Sequence, residues 1–500
     1  MRTMSENRNS YSNILKSISL FGGVQVFQII IGLVKNKIVA LLLGPAGMGI
    51  MGMITSATSM VETLTGFGLR TSGTRSIASS VSSNNADTIG RVLSVIRHLV
   101  IYTGLLGSAV IFILAKQLSI WSFGNEDYVV AFRIVSCVAF LNQLNVGQTT
   151  LMQGTFHYKL MAKSALWGSI WGLVISVPLY YLWGTSAIVP VIIVSSFANL
   201  LLSTFYSRKV PYKKIRLSSS EIWCEGKGIL GLGLAIALTG AVTLGQTYII
   251  RAFISRSGGL TEVGLYSAGI ALTSMYVNTL LNAIGSDYSP RLASMSNDNS
   301  LFIETINRQI NLMVAMIVPM IVLFVVIIRE ITILLYSEKF LPIASMVEWM
   351  MLGMFFRTCS WCLSYAQVAR GDSKVFFWNE LACSIYSVLF AVIGYHYLGF
   401  DGIGIAFVLQ YVIYTVQMYF LSAHRFNYSL SKETKLIVIQ GLLILIITFI
   451  IMRVLNYSFL RYLIGSILVV GTLCFAYYRI NKMLPLKGII IGHINKLKRR

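Results

Sequence analysis

The feature that most constrains this chain is the recurrence of apolar runs about twenty residues long, separated by short polar turns, almost from end to end. A helix needs about 20 mostly apolar residues to cross a hydrocarbon core of about 30 Å. Counting such runs predicts about fourteen spans, near 19–42, 47–68, 90–115, 128–153, 161–183, 186–206, 229–254, 263–284, 309–328, 343–368, 375–398, 402–423, 436–455 and 460–479. Only 12% of the residues are charged, against about 25% in soluble domains. Backbone groups in lipid must pair internally, and no series of short alternating strands suggests a barrel. The expected fold is therefore an all-α polytopic membrane protein.

The net charge of +22 would suit either nucleic acid or the headgroups of anionic lipid. Lysine and arginine concentrate in alternate connections, which is the pattern of cytoplasmic loops. Membrane lipids are thus expected partners and nucleic acid is not, with both termini on the cytoplasmic side. The widest break between spans is the basic stretch RKVPYKKIRLSSSEIWCEGK, Arg208–Lys227. It divides residues 1–206 (spans 1–6) from 229–424 (spans 7–12), with 207–228 as a basic cytoplasmic linker. Two extra helices and a basic cytoplasmic tail occupy 425–500.

The halves repeat. At an offset of about 215 residues Gly49 meets Gly264, Thr58-Ser59-Met60 meets Thr273-Ser274-Met275, and Ala78-Ser79 meets Ala293-Ser294. A repeat of six spans preserves orientation, so two six-helix lobes related by a pseudo-two-fold axis along the membrane normal are expected.

Charges inside spans are costly, about 2.5–3.5 kcal/mol each on insertion scales, and they mark substrate or ion paths. On the first span Gln25, Gln28, Gly32 and Lys35 share one helical face, while Lys37 points nearly the opposite way. Glu62 shares a face of the second span with Thr55 and Ser59. The seventh span carries Arg251, the repeat partner of Lys37 after a one-residue adjustment. The fourth offers Asn142, with Gln143, Asn145 and Gln148 beside it, and the tenth offers Arg357. Hydroxyls on such helices serve packing as readily as function, and a Lys35–Glu62 pair would equally make an internal salt bridge. Cations outnumber anions in these spans, which suits an anionic substrate such as a diphosphate, held bidentately by arginine or as a point charge by lysine. Lys35, Lys37, Arg251, Gln25, Gln28, Asn142 and Arg357 are the substrate-binding candidates, and Glu62 is the candidate for coupling to an ion gradient.

Other signals carry less. Gly47-Met-Gly49-Ile-Met-Gly52 spells a dinucleotide fingerprint but follows a membrane helix instead of a strand. Cys359 and Cys362 have metal-like spacing without a second ligand pair, and the five histidines have none. No catalytic motif or ATP site is present, so no enzyme, metal or cofactor is expected.

The segments LLLGPAGMGIMGM, LTEVGLYSAGIALTSMYVNTLLNAIGSDYSPRLASM and ARGDSKVFFWNELACS resemble Wzx-type O-antigen flippases of the multidrug/oligosaccharidyl-lipid/polysaccharide exporter superfamily. The resemblance covers nearly the whole chain. It implies two lobes around a central cavity, alternating access, and movement of an undecaprenyl-diphosphate-linked glycan to the outer leaflet of the bacterial inner membrane. It further implies phosphate contacts from the first helix of each lobe, here Lys35 or Lys37 and Arg251, coupling to an H+ or Na+ gradient, and polysaccharide polymerase machinery as a partner. Two alternatives stay open: a cation-coupled drug exporter of the same superfamily and a non-transporting scaffold.

Overall fold

The computed structural model describes the backbone over 2–82, 86–213, 215–455 and 459–483, with side chains from Phe27 onward apart from a few positions. The basic tail after Met483 and the side chain of Gln25 lie outside the described residues. All regular structure described is helical, and among the described residues nine stretches are long and apolar enough to cross a membrane. A bent pair, Ser219–Leu234 with Ile236–Gly258, adds a tenth.

Three of the nine are of double length, Phe27–Thr65, Tyr158–Ser207 and Lys374–Phe426, at 39, 50 and 53 residues. Each is broken near its middle: at Gly44 (φ 64°), at the 3-10 turn Gly184–Ala187, and at Gly399 (φ 58°). At Gly44 and Gly399 the positive φ is a conformation that a Cβ penalises and glycine adopts freely. Dividing the three at these breaks and adding the bent pair gives thirteen, and Leu260–Ser294 is a further long helix where the sequence places the span 263–284, in rough agreement with the expected fourteen or so.

The chain forms two compact units. The first runs to Leu265 and takes in Leu335–Lys339; the second comprises Tyr266–Leu334 and the described residues from Phe340 on. The first unit contains α1 (Arg2–Thr65), α2 (Leu69–Ser82), α3 (Ala86–Ile113), α4 (Ala115–Phe123), α5 (Val129–Gly154), α6 (Tyr158–Trp183), α7 (Ile188–Ser207) and α8 (Ser219–Gly258). It also holds the opening turn of α9 (Leu260–Ser294), whose remainder lies in the second unit with α10 (Asn299–Val326) and α11 (Ile328–Leu335). The second unit continues with α12 (Ala344–Ala369), α13 (Ser373–Phe426), α14 (Lys432–Val454) and α15 (Phe459–Met483). By repeat α8 opens the second half, yet it packs on α1, α2, α3 and α4 and is grouped with the first unit.

Connections that read as loops contain short helices. The sequence LRTSGTRSIASSVS has too few apolar residues to signal a span, but Leu69 and Ile77 on α2 are fully buried. They join Leu93, Ile96, Leu99, Leu151 and Met152 in a core between α2, α3 and α5. Val210 of the basic linker is buried in the same cluster. Lys213 pairs with Asp87 at 2.7 Å, and Arg91 reaches Glu221 at 3.1 Å and Glu225 at 2.9 Å. The linker is therefore a strap fastened to α3. A box of reciprocal bonds between Ser218 and Glu221 starts α8 directly after it, satisfying backbone groups that a helix N-terminus otherwise leaves open.

In the second unit α10 is the central helix, packed by α12, α14 and α15. The terminal pair α14–α15 is tied in by a buried ion pair. Arg461 donates to Glu348 at 3.0 Å and to the carbonyls of Met452 (2.7 Å) and Val325 (3.1 Å), with both charged side chains under a tenth exposed.

Candidate functional site

Lys35 and Lys37 lie on α1 before the Gly44 break, both half-buried, and Gln28 is half-buried two turns earlier. Past the break the same helix carries Gly49, Gly52 and Glu62. Counting outward from Gly44, Lys35 and Lys37 on one side and Gly52 on the other are separated from it by a similar number of residues. At 1.5 Å rise per residue each sits about 12 Å along its segment from the turn.

Arg251 of α8 meets α1 at that level. Its Nη1 donates to the Gly52 carbonyl at 3.1 Å, a hydrogen bond to a charged donor worth about 1.5–3 kcal/mol. The cation expected to answer Lys37 in the second half thus lies against the helix that carries Lys37. Higher on the same end, α9 crosses α1. A Cβ on Gly49 would run into the Leu260 carbonyl, and one on Gly264 into the Pro45 carbonyl. Leu260 and Pro45 each precede the respective glycine partner by four residues, so the contact is reciprocal between residues that the sequence repeat pairs.

Glu62 and Asn142 come together as a second centre. Asn142 Nδ2 donates to both carboxylate oxygens, at 3.1 and 3.3 Å. They line a cavity of about 320 Å³ with Thr65, Arg70, Thr103 and Gln143, closed on one side by Ile236 and Gly240 of α8. Gln143 is held by a 2.9 Å bond to the Thr103 hydroxyl. Glu62, Asn142, Gln143, Thr65 and Thr103 put polar groups on a wall that is otherwise mostly apolar, from Leu69, Ala139, Val146 and Ile236. Glu62 and Arg251 serve different centres, as do Asn142 and Arg251.

Arg357, in the second unit, lies over the Tyr411 ring at 5.8 Å and reaches the Met354 sulfur at 3.6 Å. Beside it Glu380 accepts from the Tyr414 hydroxyl. A ladder of polar bonds runs on through Ser387–Gln410 (2.8 Å) and Gln417–Asn379 (2.5 Å). The sequence reading did not single out Glu380. The signal was available, because Asn379, Glu380, Cys383 and Ser387 recur along one side of an apolar helix. Cys359 and Cys362 are both buried and unlinked.

Residues 38–345 match the family described as polysaccharide biosynthesis protein. The match spans more than half of the chain. The chain belongs to the polysaccharide biosynthesis protein family. Among curated proteins it resembles the Lipid III flippases of Escherichia coli (strain K12) and Shigella flexneri, each 23% identical over 396 residues covering 77% of this chain and 92% of the relative. Among solved structures, an inward-facing multidrug resistance MATE transporter of the MOP superfamily superposes with TM-score 0.67 at 16% identity, covering 80% of this chain and 94% of that one. The Lipid II flippase MurJ in an inward closed conformation gives TM-score 0.65 at 14% identity, over 93% and 99%. At these identities the structures establish the fold alone: the described residues of this member of the polysaccharide biosynthesis protein family share the helical membrane fold of these two transporters.

Proposed function

We propose that this chain is a flippase that moves an undecaprenyl-diphosphate-linked oligosaccharide from the cytoplasmic to the outer leaflet of the bacterial inner membrane, with both termini in the cytoplasm. The observation that carries the reading is the placement of Lys35, Lys37 and Arg251 on two helices, α1 and α8, that pack together. A diphosphate and its sugars would lose their hydration in about 30 Å of hydrocarbon. Cations at fixed positions in low dielectric replace that water with stronger contacts. The flippase names of the curated relatives support the same substrate class. Gln25, Gln28, Asn142 and Arg357 are proposed to bind the remainder of the headgroup. Two six-helix lobes, 1–206 and 229–424, are proposed to alternate in access and to hand the glycan to polysaccharide polymerase machinery on the outer face.

The direct test is leaflet-resolved detection of lipid-linked oligosaccharide in cells with and without the protein; equal outer-leaflet levels would refute the reading. A Lys35→Ala/Lys37→Ala/Arg251→Ala triple variant is expected to lose transport to background at normal expression. Single Lys→Arg changes are expected to be milder than Lys→Ala, because charge persists. Glu62 is proposed to couple transport to an H+ or Na+ gradient through the cavity that it shares with Asn142. Glu62→Gln keeps the size and removes the charge, so transport should persist while its dependence on the gradient weakens. An unchanged gradient dependence in vesicles would reduce Glu62 to a structural partner of Asn142.

A further inference from the structure

One acceptor that holds Arg251, the Gly52 carbonyl, is shared. Besides the Arg251 guanidinium at 3.1 Å, the Gly52 carbonyl receives the Ser56 hydroxyl at 2.8 Å and the Thr55 hydroxyl at 3.3 Å. It also lies within a helix, where the backbone N–H four residues on claims it. A carbonyl oxygen has two lone pairs, so these donors compete for it. Both hydroxyls have second acceptors of their own, Met53 at 3.1 Å and Met51 at 2.7 Å. With the helix N–H and these hydroxyls still aimed at it, Gly52 stays satisfied if the guanidinium leaves. This contested bond lies three residues from Gly49, where α1 and α9 touch backbone to backbone.

We propose that Arg251 is an anion-operated latch. In the unloaded protein its guanidinium ties α8 to the Gly52 carbonyl beside the Gly49–Gly264 crossing. A diphosphate headgroup takes the guanidinium from the carbonyl, and the outer end of α8 is freed to part from the first repeat. A charged phosphate oxygen is a stronger, bidentate acceptor than a neutral carbonyl already shared with other donors. Other ties at that end include the Gly49–Gly264 crossing itself, the Ser122–Tyr248 hydroxyl pair at 2.9 Å and the Arg256 bond to the Ile120 carbonyl at 3.0 Å. The hydroxyl pair is neutral and buried and gives a phosphate no cation to take, and the Arg256 bond is exposed, where water already competes for the guanidinium. The latch rests on the flippase reading, since it assumes that a lipid diphosphate reaches Arg251.

The experiment uses the full chain in nanodiscs, its native cysteines replaced, with spin labels at Asn125 and Ser257, both exposed at the outer ends of these elements. Farnesyl diphosphate is the probe and farnesol the control, with binding titrated in the same samples. The diphosphate, and not farnesol, is expected to raise the long-distance population by about fivefold. Arg251→Ala should show that population without any lipid. Arg251→Gln, whose amide still donates to a carbonyl but carries no charge, should stay short with or without diphosphate. Binding of the diphosphate with no change in distance overturns the latch and leaves the flippase reading standing. Absence of any diphosphate binding overturns both. A short distance in unloaded Arg251→Ala also overturns the latch, whatever the lipid does.

Discussion

Gly49→Leu and Gly264→Leu will each abolish transport in protein that still reaches the membrane. At Gly49 an added Cβ meets the Leu260 carbonyl, and at Gly264 it meets the Pro45 carbonyl. Backbone cannot yield as a flexible side chain can, so the two helices must move apart at the crossing. Close helix approach through small residues is the usual device for packing in lipid, where no hydrophobic force brings helices together. The reciprocity of the contact makes a sharper forecast: because each glycine strikes the residue four before its repeat partner, the two variants should fail alike. Gly471→Leu on α15, where a Cβ meets nothing within 4 Å, should transport normally. The measurement is complementation of a flippase-deficient strain with expression checked by blot. Wild-type transport by Gly49→Leu would mean that the crossing is incidental.

Arg461→Ala should destabilise the second unit by about 3–5 kcal/mol, the usual cost of leaving one charge of a buried pair without its partner. Arg461 also satisfies the carbonyls of Met452 and Val325, so its loss uncaps the end of α14 as well as orphaning Glu348. Arg453, 3.8 Å from Glu348 and stacked on Trp349 at 4.9 Å, compensates only in part. The double variant Glu348→Leu/Arg461→Met removes both charges and should melt higher than Arg461→Ala alone. Thermal unfolding in detergent reads both. Equal melting of Arg461→Ala and wild type would show that α14 and α15 are held by apolar contact without help from this pair.

The sequence by itself determined the class, the rough number of spans and the gaps between them. Apolar runs near twenty residues admit only helices in lipid, and Gly44 and Gly399 are legible as turns because positive φ asks for glycine. It also determined which residues were worth asking about, since a lysine or glutamate inside such a run has few innocent explanations. Tertiary structure alone decided which of these meet. Glu62 and Asn142 are 80 residues apart and join one cavity, whereas Arg251 goes to a backbone carbonyl that no side-chain pattern announces. The grouping of α8 with the first unit was likewise invisible, because repeat symmetry specifies equivalence and says nothing of which surfaces touch. Glu348 and Arg461 could not be paired from sequence for the same reason. Helical periodicity reports the face a residue occupies on its own helix, and the partner of that face is set by packing between helices far apart in the chain.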